Sequence, residues 1–445
     1  MFTAHLAWAL LCVGLYTCLG AGPAFAQSEM SLEAGMATVD ITPAAPGQVP
    51  LAGYITRLGQ TAQGVHDRIF CQALVLRQTS QETAIVSCDL VGISAVLRQK
   101  VSQKLTPLGI HTDNLMLTAT HTHSGPGGFH DLPLFAAGFG AYQEAYTEQV
   151  ATEIVSAVQK ARMQSQKALV RLGHQPVYDL IWNRRDPYAA FDHGSRRFRH
   201  WNKRAVGQFK PPVLSTIWFE SLQGTPFAVV FHLPMHNTVY GADNVLLSAD
   251  WAGVARRELS NQRPGLQALY LNGAEADLTP IMLANLQSDE AYLEQIGQKV
   301  AQLVLAQATE SSEIELAAVK TGWQQQPLPM PHLLGIPLSK DWTQGYFETI
   351  PLQLLDFGSL TLLAVPLELT AQAGENLRQL ALDSDKTYPL VVGLANDYLF
   401  YCTLPEEQAA GGYEVLMTLF GPSEFEVIRA GFEVLLKHPV SQSNN

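Results

Sequence analysis

The chain has 445 residues, 47% of them apolar and 15% charged, with a net charge of −12. This is a globular composition with material for a large core, and its acidity argues against nucleic acid as a partner. Beyond Ala26 no segment reaches the roughly 18–20 uninterrupted apolar residues that a membrane-spanning helix needs.

In chain order, Met1 to Ala26 contains no Asp, Glu, Lys or Arg, is apolar from Leu6 to Leu19 and ends in Ala24-Phe25-Ala26. That pattern predicts a signal peptide cleaved after Ala26 and a secreted or periplasmic protein, with an uncleaved anchor as the alternative. The later cysteines, Cys71, Cys88 and Cys402, are odd in number and widely spaced, which is not a disulfide framework. Cys71 and Cys88 fall inside apolar strands and read as small core residues, with one disulfide as the alternative.

Strands are predicted at 35–43, 68–77, 82–90 and 115–119, with a helix at 93–105 and a long amphipathic helix at 141–163. A strand at 168–175 precedes an irregular stretch, 182–212. Strands at 213–221, 227–233 and 267–271 then alternate with helices at 251–260 and 290–308. Further strands are expected at 313–323, 350–357, 360–365 and 389–394, and helices at 369–382 and 424–436. Strands and helices mixed to the end predict an α/β fold of mixed β-sheets flanked by helices, as one domain over 27–445. Asp40 and Asp89, at strand ends, read as turn formers.

Four unusual segments sit just past an apolar strand. His121 and His123, two apart and so on one face of extended chain, follow Leu115–Ala119 and precede Gly125-Pro126-Gly127-Gly128. His236, in MHNT, follows AVVFHL; Glu368 follows TLLAVP; Tyr401 follows VVGLAND. In open α/β sheets sites gather at strand carboxyl ends, so these four segments are candidates to converge. Each has a plainer reading: loop histidines, a Glu368 offsetting the dipole of the helix that starts there, a core tyrosine. Two imidazoles and a carboxylate together make a zinc shell with a position open to water or substrate.

In this order the segments resemble the neutral/alkaline (non-lysosomal) ceramidases, zinc amidases that hydrolyse the N-acyl bond of ceramide. The likeness runs from about Gly35 to Pro422, the family's catalytic domain. Its landmarks are VDITP (39–43), THTHSGPGG (120–128), Asn183-Arg184, MHNT with SADWAG (248–253), NGAEADLTP (272–280), PLELTAQAG (366–374), and GLANDYLFY with PEE and GGYE (393–414). The resemblance implies one Zn²⁺ held by His121, His236, Glu368 and Tyr401. It also implies His123 as general base, Arg184 and Tyr413 at the substrate carbonyl, and Thr279 near the substrate hydroxyl. Asp250, Asn272 and Asp277 are expected to orient ligands from behind or to cap the following helix or turn.

Two departures bear on the substrate. The ceramidases carry a further C-terminal β-sandwich, which is not expected in a chain ending at Asn445. Their Gly-Asp-Val-Ser-Pro segment is Ala276-Asp277-Leu278-Thr279-Pro280 here, and the extra methyl of Thr279 narrows the pocket. The expected substrate is therefore ceramide, another N-acylated lipid, or another acyl amide or ester. An inactive binding protein of the same fold is the reading from a different class. A Ser-His-Asp hydrolase has little support, since no G-x-S-x-G elbow accompanies Ser124. The basic stretch 186–210, with Arg196, Arg197, Arg199, Lys203 and Arg204 among Phe198, His200 and Trp201, reads either as a lid or rim meeting anionic lipid headgroups at a membrane surface or an anionic substrate, or as a solvated loop.

Overall fold

A computed structural model describes residues 32–78, 81–185, 212–281, 288–333 and 335–438, and the backbone of 191–192 and 197–198. The expected signal peptide and most of the basic stretch 186–210 lie outside the described residues.

One succession recurs three times: three antiparallel strands, a helix, a fourth strand parallel to the third, and a second helix. The first unit is β1 (Glu33–Asp40), β2 (Phe70–Gln78), β3 (Gln81–Cys88), α1 (Ala95–Leu105), β4 (Leu115–Ala119) and α2 (Glu144–Met163). The second is β5 (Leu169–Pro176), β6 (Val213–Glu220), β7 (Pro226–His232), α3 (Asp250–Gln262), β8 (Gln267–Leu271) and α4 (Asp289–Glu310). The third is β9 (Leu316–Pro327), β10 (Thr349–Gly358), β11 (Leu360–Ala364), α5 (Ala371–Leu382), β12 (Tyr388–Val392) and α6 (Glu424–Lys437). Neighbouring strands can turn directly into one another only when antiparallel; the parallel pairing of the third and fourth strands needs a crossover, which α1, α3 and α5 supply. The closing helix of each unit then packs across its first two strands.

Each sheet is buried on both faces, which is why its strands read as apolar runs rather than alternating ones. The alternation survives in where side chains go. Leu74 and Leu76 of β2 join a cluster shared with β5–β8 and β9–β12, while Ala73 and Val75 face outward beneath the helices. The three sheets thus meet on one inner core, and the helices cover their outer faces.

Several boundaries differ from expectation for local reasons. The first helix starts at Ala95 because the Ser94 hydroxyl caps it, accepting from the Leu97 N–H at 3.1 Å. The helix expected from 369 starts at Ala371 with Thr370 as its cap. Glu368–Leu369 is instead a two-residue strand paired in parallel with Tyr401–Cys402. Glu368 is therefore not a first-turn residue offsetting a dipole. Trp182 and Asn183, expected to be irregular, belong to a short strand, Ile181–Asn183, that pairs with Leu278–Pro280.

Cys71 and Cys88 are direct cross-strand partners on β2 and β3 and form a disulfide, with Cα atoms 4.1 Å apart. This corrects their reading as separate core residues; a wide sequence spacing cannot reveal the hairpin register that sets them side by side. For a separation of 17 residues, loop closure predicts that Cys71→Ala/Cys88→Ala loses about 3 kcal/mol. Urea midpoints would show it, and an unchanged midpoint would refute it.

Candidate metal centre

The strand ends of the three units converge. The end of β4 presents His121 and His123, and the loops after β7, β8, β11 and β12 present His236, Glu275, Glu368 and Tyr401 respectively. His121 Nε2 lies 3.3 Å from Glu368 Oε2, and His236 Nε2 lies 3.2 Å from the same oxygen. His123 Nε2 is 3.1 Å from His121 Nε2. Tyr401 is buried and sits opposite Glu368 in backbone register.

Hydrogen bonds assign the proton on two of the imidazoles. His121 Nδ1 is 2.6 Å from the Val91 carbonyl, and His236 Nδ1 is 2.8 Å from that of Glu275. A carbonyl only accepts, so each Nδ1 carries a proton and Nε2 is the ring nitrogen turned to the centre. The other oxygen of Glu368 accepts from the Tyr398 hydroxyl at 2.6 Å, which turns Oε2 toward the imidazoles. His236 Nε2 and Glu368 Oε2 are buried without a hydrogen-bonding partner. A tetrahedral shell with bonds of about 2.0–2.1 Å sets its donor atoms about 3.3–3.4 Å apart. The His–Glu spacings and the orphaned donor atoms fit a divalent ion.

Burial and the charges within the cluster set the electrostatics of the site. Burial, reinforced by His121 and His236, holds the His123 imidazole well below its ordinary value. Burial also lowers His236. Burial alone would raise Glu368, but His121 and His236 hold its carboxyl well below the usual range. Tyr401 is pushed well up, by burial and then by the Glu368 charge.

The backbone around the site is strained and fastened. His121 has φ of +66°, a left-handed conformation that costs a non-glycine residue about 1–2 kcal/mol. Its N–H is held by the Leu90 carbonyl at 2.9 Å. Beside it, Thr120 donates its hydroxyl to Asp89. Asp89 is not merely a turn former, because its buried carboxylate also takes a 2.6 Å ion pair from Arg256. Asp40 does form the expected turn, accepting from the Thr42 N–H at 2.8 Å.

Asp250, Asn272 and Asp277 sit behind the site but touch no imidazole nitrogen. Asp250 accepts the N–H groups of Val239, Tyr240 and Trp251; Asn272 accepts those of Met235 and Gly273; Asp277 accepts that of Ala371 and the Asn183 amide. They shape the loops that carry His236, Glu275 and Glu368, while backbone carbonyls orient the histidines.

Arg184, which could have been a surface charge, donates from Nε to the buried Glu414 at 2.7 Å and lies 5.0 Å over the Tyr413 ring. Its Nη2 is buried without a partner. Tyr413 stands at the mouth, 39% exposed, with its ring edge-on to Tyr401 at 5.7 Å. Thr279 is buried in the short strand opposite Trp182.

Sequence reasoning missed several groups that shape the site. Buried Arg57 donates to the carbonyls of Ala52, His123, Gly241 and Asn244, tying the His123 loop to the 240s. Tyr54 packs edge-on against His123 at 4.8 Å. Gly53, with φ of +105°, leaves no room for a side chain, since a Cβ there would lie 2.6 Å from His123 Cγ. Tyr398 and Glu275 were also overlooked. The available signals were the Gly53-Tyr54 pair in a proline- and glycine-rich loop and the places of Glu275 and Tyr398 within the NGAEADLTP and GLANDYLFY landmarks.

Near the site, Asp397 Oδ1 accepts from the N–H groups of Ala95 and Tyr398 and from the Tyr346 hydroxyl. Burial nonetheless pushes its carboxyl up to about 6 from 3.8. The folded state therefore keeps a proton that the unfolded state releases. Its contribution is complete below about 3.8 and disappears as pH rises through about 6. Between pH 4 and 7.5 wild type should lose up to about 3 kcal/mol relative to Asp397→Asn, which retains the acceptor oxygen. Urea midpoints of the two proteins at both pH values check this; a pH-independent difference would contradict it.

The family model described as neutral/alkaline non-lysosomal ceramidase, N-terminal, matches residues 32–280 and 294–429. The neutral ceramidase of Pseudomonas aeruginosa is 24% identical over 479 residues, covering 87% of this chain and 69% of that protein. The neutral ceramidase of Drosophila pseudoobscura pseudoobscura is 22% identical over 539 residues, covering 92% and 75%. The crystal structure of the Pseudomonas aeruginosa enzyme has the same fold, with a TM-score of 0.77 at 22% identity over 94% of this chain and 76% of that one. The chain therefore belongs to the neutral/alkaline non-lysosomal ceramidase family.

Proposed function

We propose that the chain is an exported, zinc-dependent amidohydrolase that cleaves the N-acyl amide bond of ceramide or a related acylated lipid. The observation that carries the reading is the spacing of His121, His236 and Glu368, 3.2–3.3 Å from nitrogen to oxygen, in a member of this family. Export is supported by the leader pattern and by the Cys71–Cys88 disulfide, since such bonds persist mainly in oxidising compartments.

His121, His236 and Glu368 would hold the ion, with Tyr401 on the side of Glu368. The ion, when bound, supplies Lewis acidity, polarising the scissile carbonyl and making water acidic enough to attack near neutral pH. His123 stays neutral because burial disfavours its charged form, so its Nε2 is available to take the proton of the attacking water. The same proton then passes to the leaving amine, and no covalent acyl intermediate is required. The negative charge that develops on the carbonyl oxygen needs fixed donors. Arg184 Nη2, buried and uncommitted, is one, and the Tyr413 hydroxyl at the mouth is the other.

Thr279, with its added methyl, favours a second reading: the same centre acting on a different acyl amide or ester. Purified protein offered a short-chain ceramide, other fatty-acyl amides and matched fatty-acyl esters separates the two. Fatty-acid release fastest from ceramide supports the proposal. Release from esters or other amides alone sinks the substrate assignment, and release from none favours the binding-protein reading.

A further inference from the structure

Glu275 is fully buried, and neither of its carboxylate oxygens has a hydrogen-bonding partner. Among the described residues no basic side chain forms an ion pair with it. A carboxylate removed from water is costly unless it is paired or coordinates a metal. One Glu275 oxygen lies within 4.8 Å of a His121 ring nitrogen and of a Glu368 oxygen, all three side chains being buried.

The fold builds Glu275 onto the frame that carries the other ligands. Its carbonyl accepts the Nδ1–H of His236 at 2.8 Å. The next residue, Ala276, donates its N–H to the carbonyl of Leu369, beside Glu368, at 2.9 Å. Gly393 leaves space for the carboxylate, since a Cβ there would come within 3.1 Å of Glu275 Oε2. In the threefold arrangement the loop after β8 is the counterpart of the loop after β4 that carries His121.

We propose that Glu275 is an additional metal-ligating carboxylate of this centre, entering the shell formed by His121, His236 and Glu368. The inference rests on reading the site as a metal centre. Two carboxylates match the two charges of a divalent ion, which turns the repulsion between Glu275 and Glu368 into joint coordination. A shell richer in oxygen also suits harder ions that take more than four ligands.

The test compares wild type with Glu275→Gln, which keeps the shape and removes the charge, by titrating metal-free protein with Zn²⁺ and Co²⁺. Wild type is expected to bind a single equivalent, and Glu275→Gln to bind Zn²⁺ on the order of 10²-fold more weakly or worse. The visible absorption of the cobalt form should shift and intensify as the coordination number falls, which a packing role would not cause. Metal-free Glu275→Gln should unfold at a urea concentration no lower than metal-free wild type, because the amide is neutral when buried without having to take up a proton. If that variant does not fold, Glu275→Asp, which keeps the charge and retracts the donor, is read by the same spectrum. Wild type that binds metal, beside a variant with unchanged affinity and spectrum, would overturn the role of Glu275 and leave the metal centre standing. Wild type that binds no metal would overturn the metal centre, and this inference with it.

Discussion

Glu368→Gln is expected to lower turnover of an acyl-amide substrate by at least about 10³-fold and to leave the purified protein short of its divalent ion. The side chain keeps its size, and Oε1 can still accept from the Tyr398 hydroxyl. What changes is the group between His121 and His236, where an amide replaces the one charge that both imidazoles face. The fold should survive, because the backbone pairing with Tyr401 does not involve the side chain. Metal analysis beside steady-state kinetics checks both halves. Full metal content with full activity would show that Glu368 is no ligand.

Arg184→Ala is expected to cut kcat by about 10²–10³-fold with a smaller change in KM, the signature of a donor used mainly in the transition state. The structure makes this variant unusually clean. Glu414 would not be left as an unpaired buried charge, because Arg185 Nη1 remains 2.8 Å from its other oxygen. Stability should therefore fall little, and thermal denaturation provides the control. A raised KM at unchanged kcat would instead make Arg184 a binding residue. Loss of the folded state would make it structural.

Placement of the site residues was readable in the sequence to the extent that it depends on strand ends. Leu115–Ala119, Pro226–His232 and Leu360–Ala364 are apolar because both sheet faces are covered, and a polar, metal-competent residue just beyond such a run is conspicuous. His121, His236 and Glu368 stood out for that reason, and the structure brings them together. Glu275 did not stand out. It lies in a short loop of small residues, where nothing in the local pattern separates a buried carboxylate from a solvated one.

The α/β class and mixed sheets were legible from the alternation of elements. The threefold recurrence was not, because the units differ in loop length and share no obvious sequence repeat. What they share is a pairing order, which depends on contacts distant along the chain. The Cys71–Cys88 disulfide escaped for the same reason: only the register of β2 against β3 makes the two cysteines neighbours. Arg57 is a further case. A lone arginine in a loop reads as solvated, and its burial against backbone carbonyls appears only once the His123 and 240s loops are folded over it.

The most direct test of the central claim is metal removal and return. Fatty-acid release from a short-chain ceramide would be followed with the purified protein as isolated, after exhaustive chelation, and after stoichiometric zinc is restored. The account predicts release that disappears with the metal and returns with zinc. Undiminished release by protein verified as metal-free would contradict it.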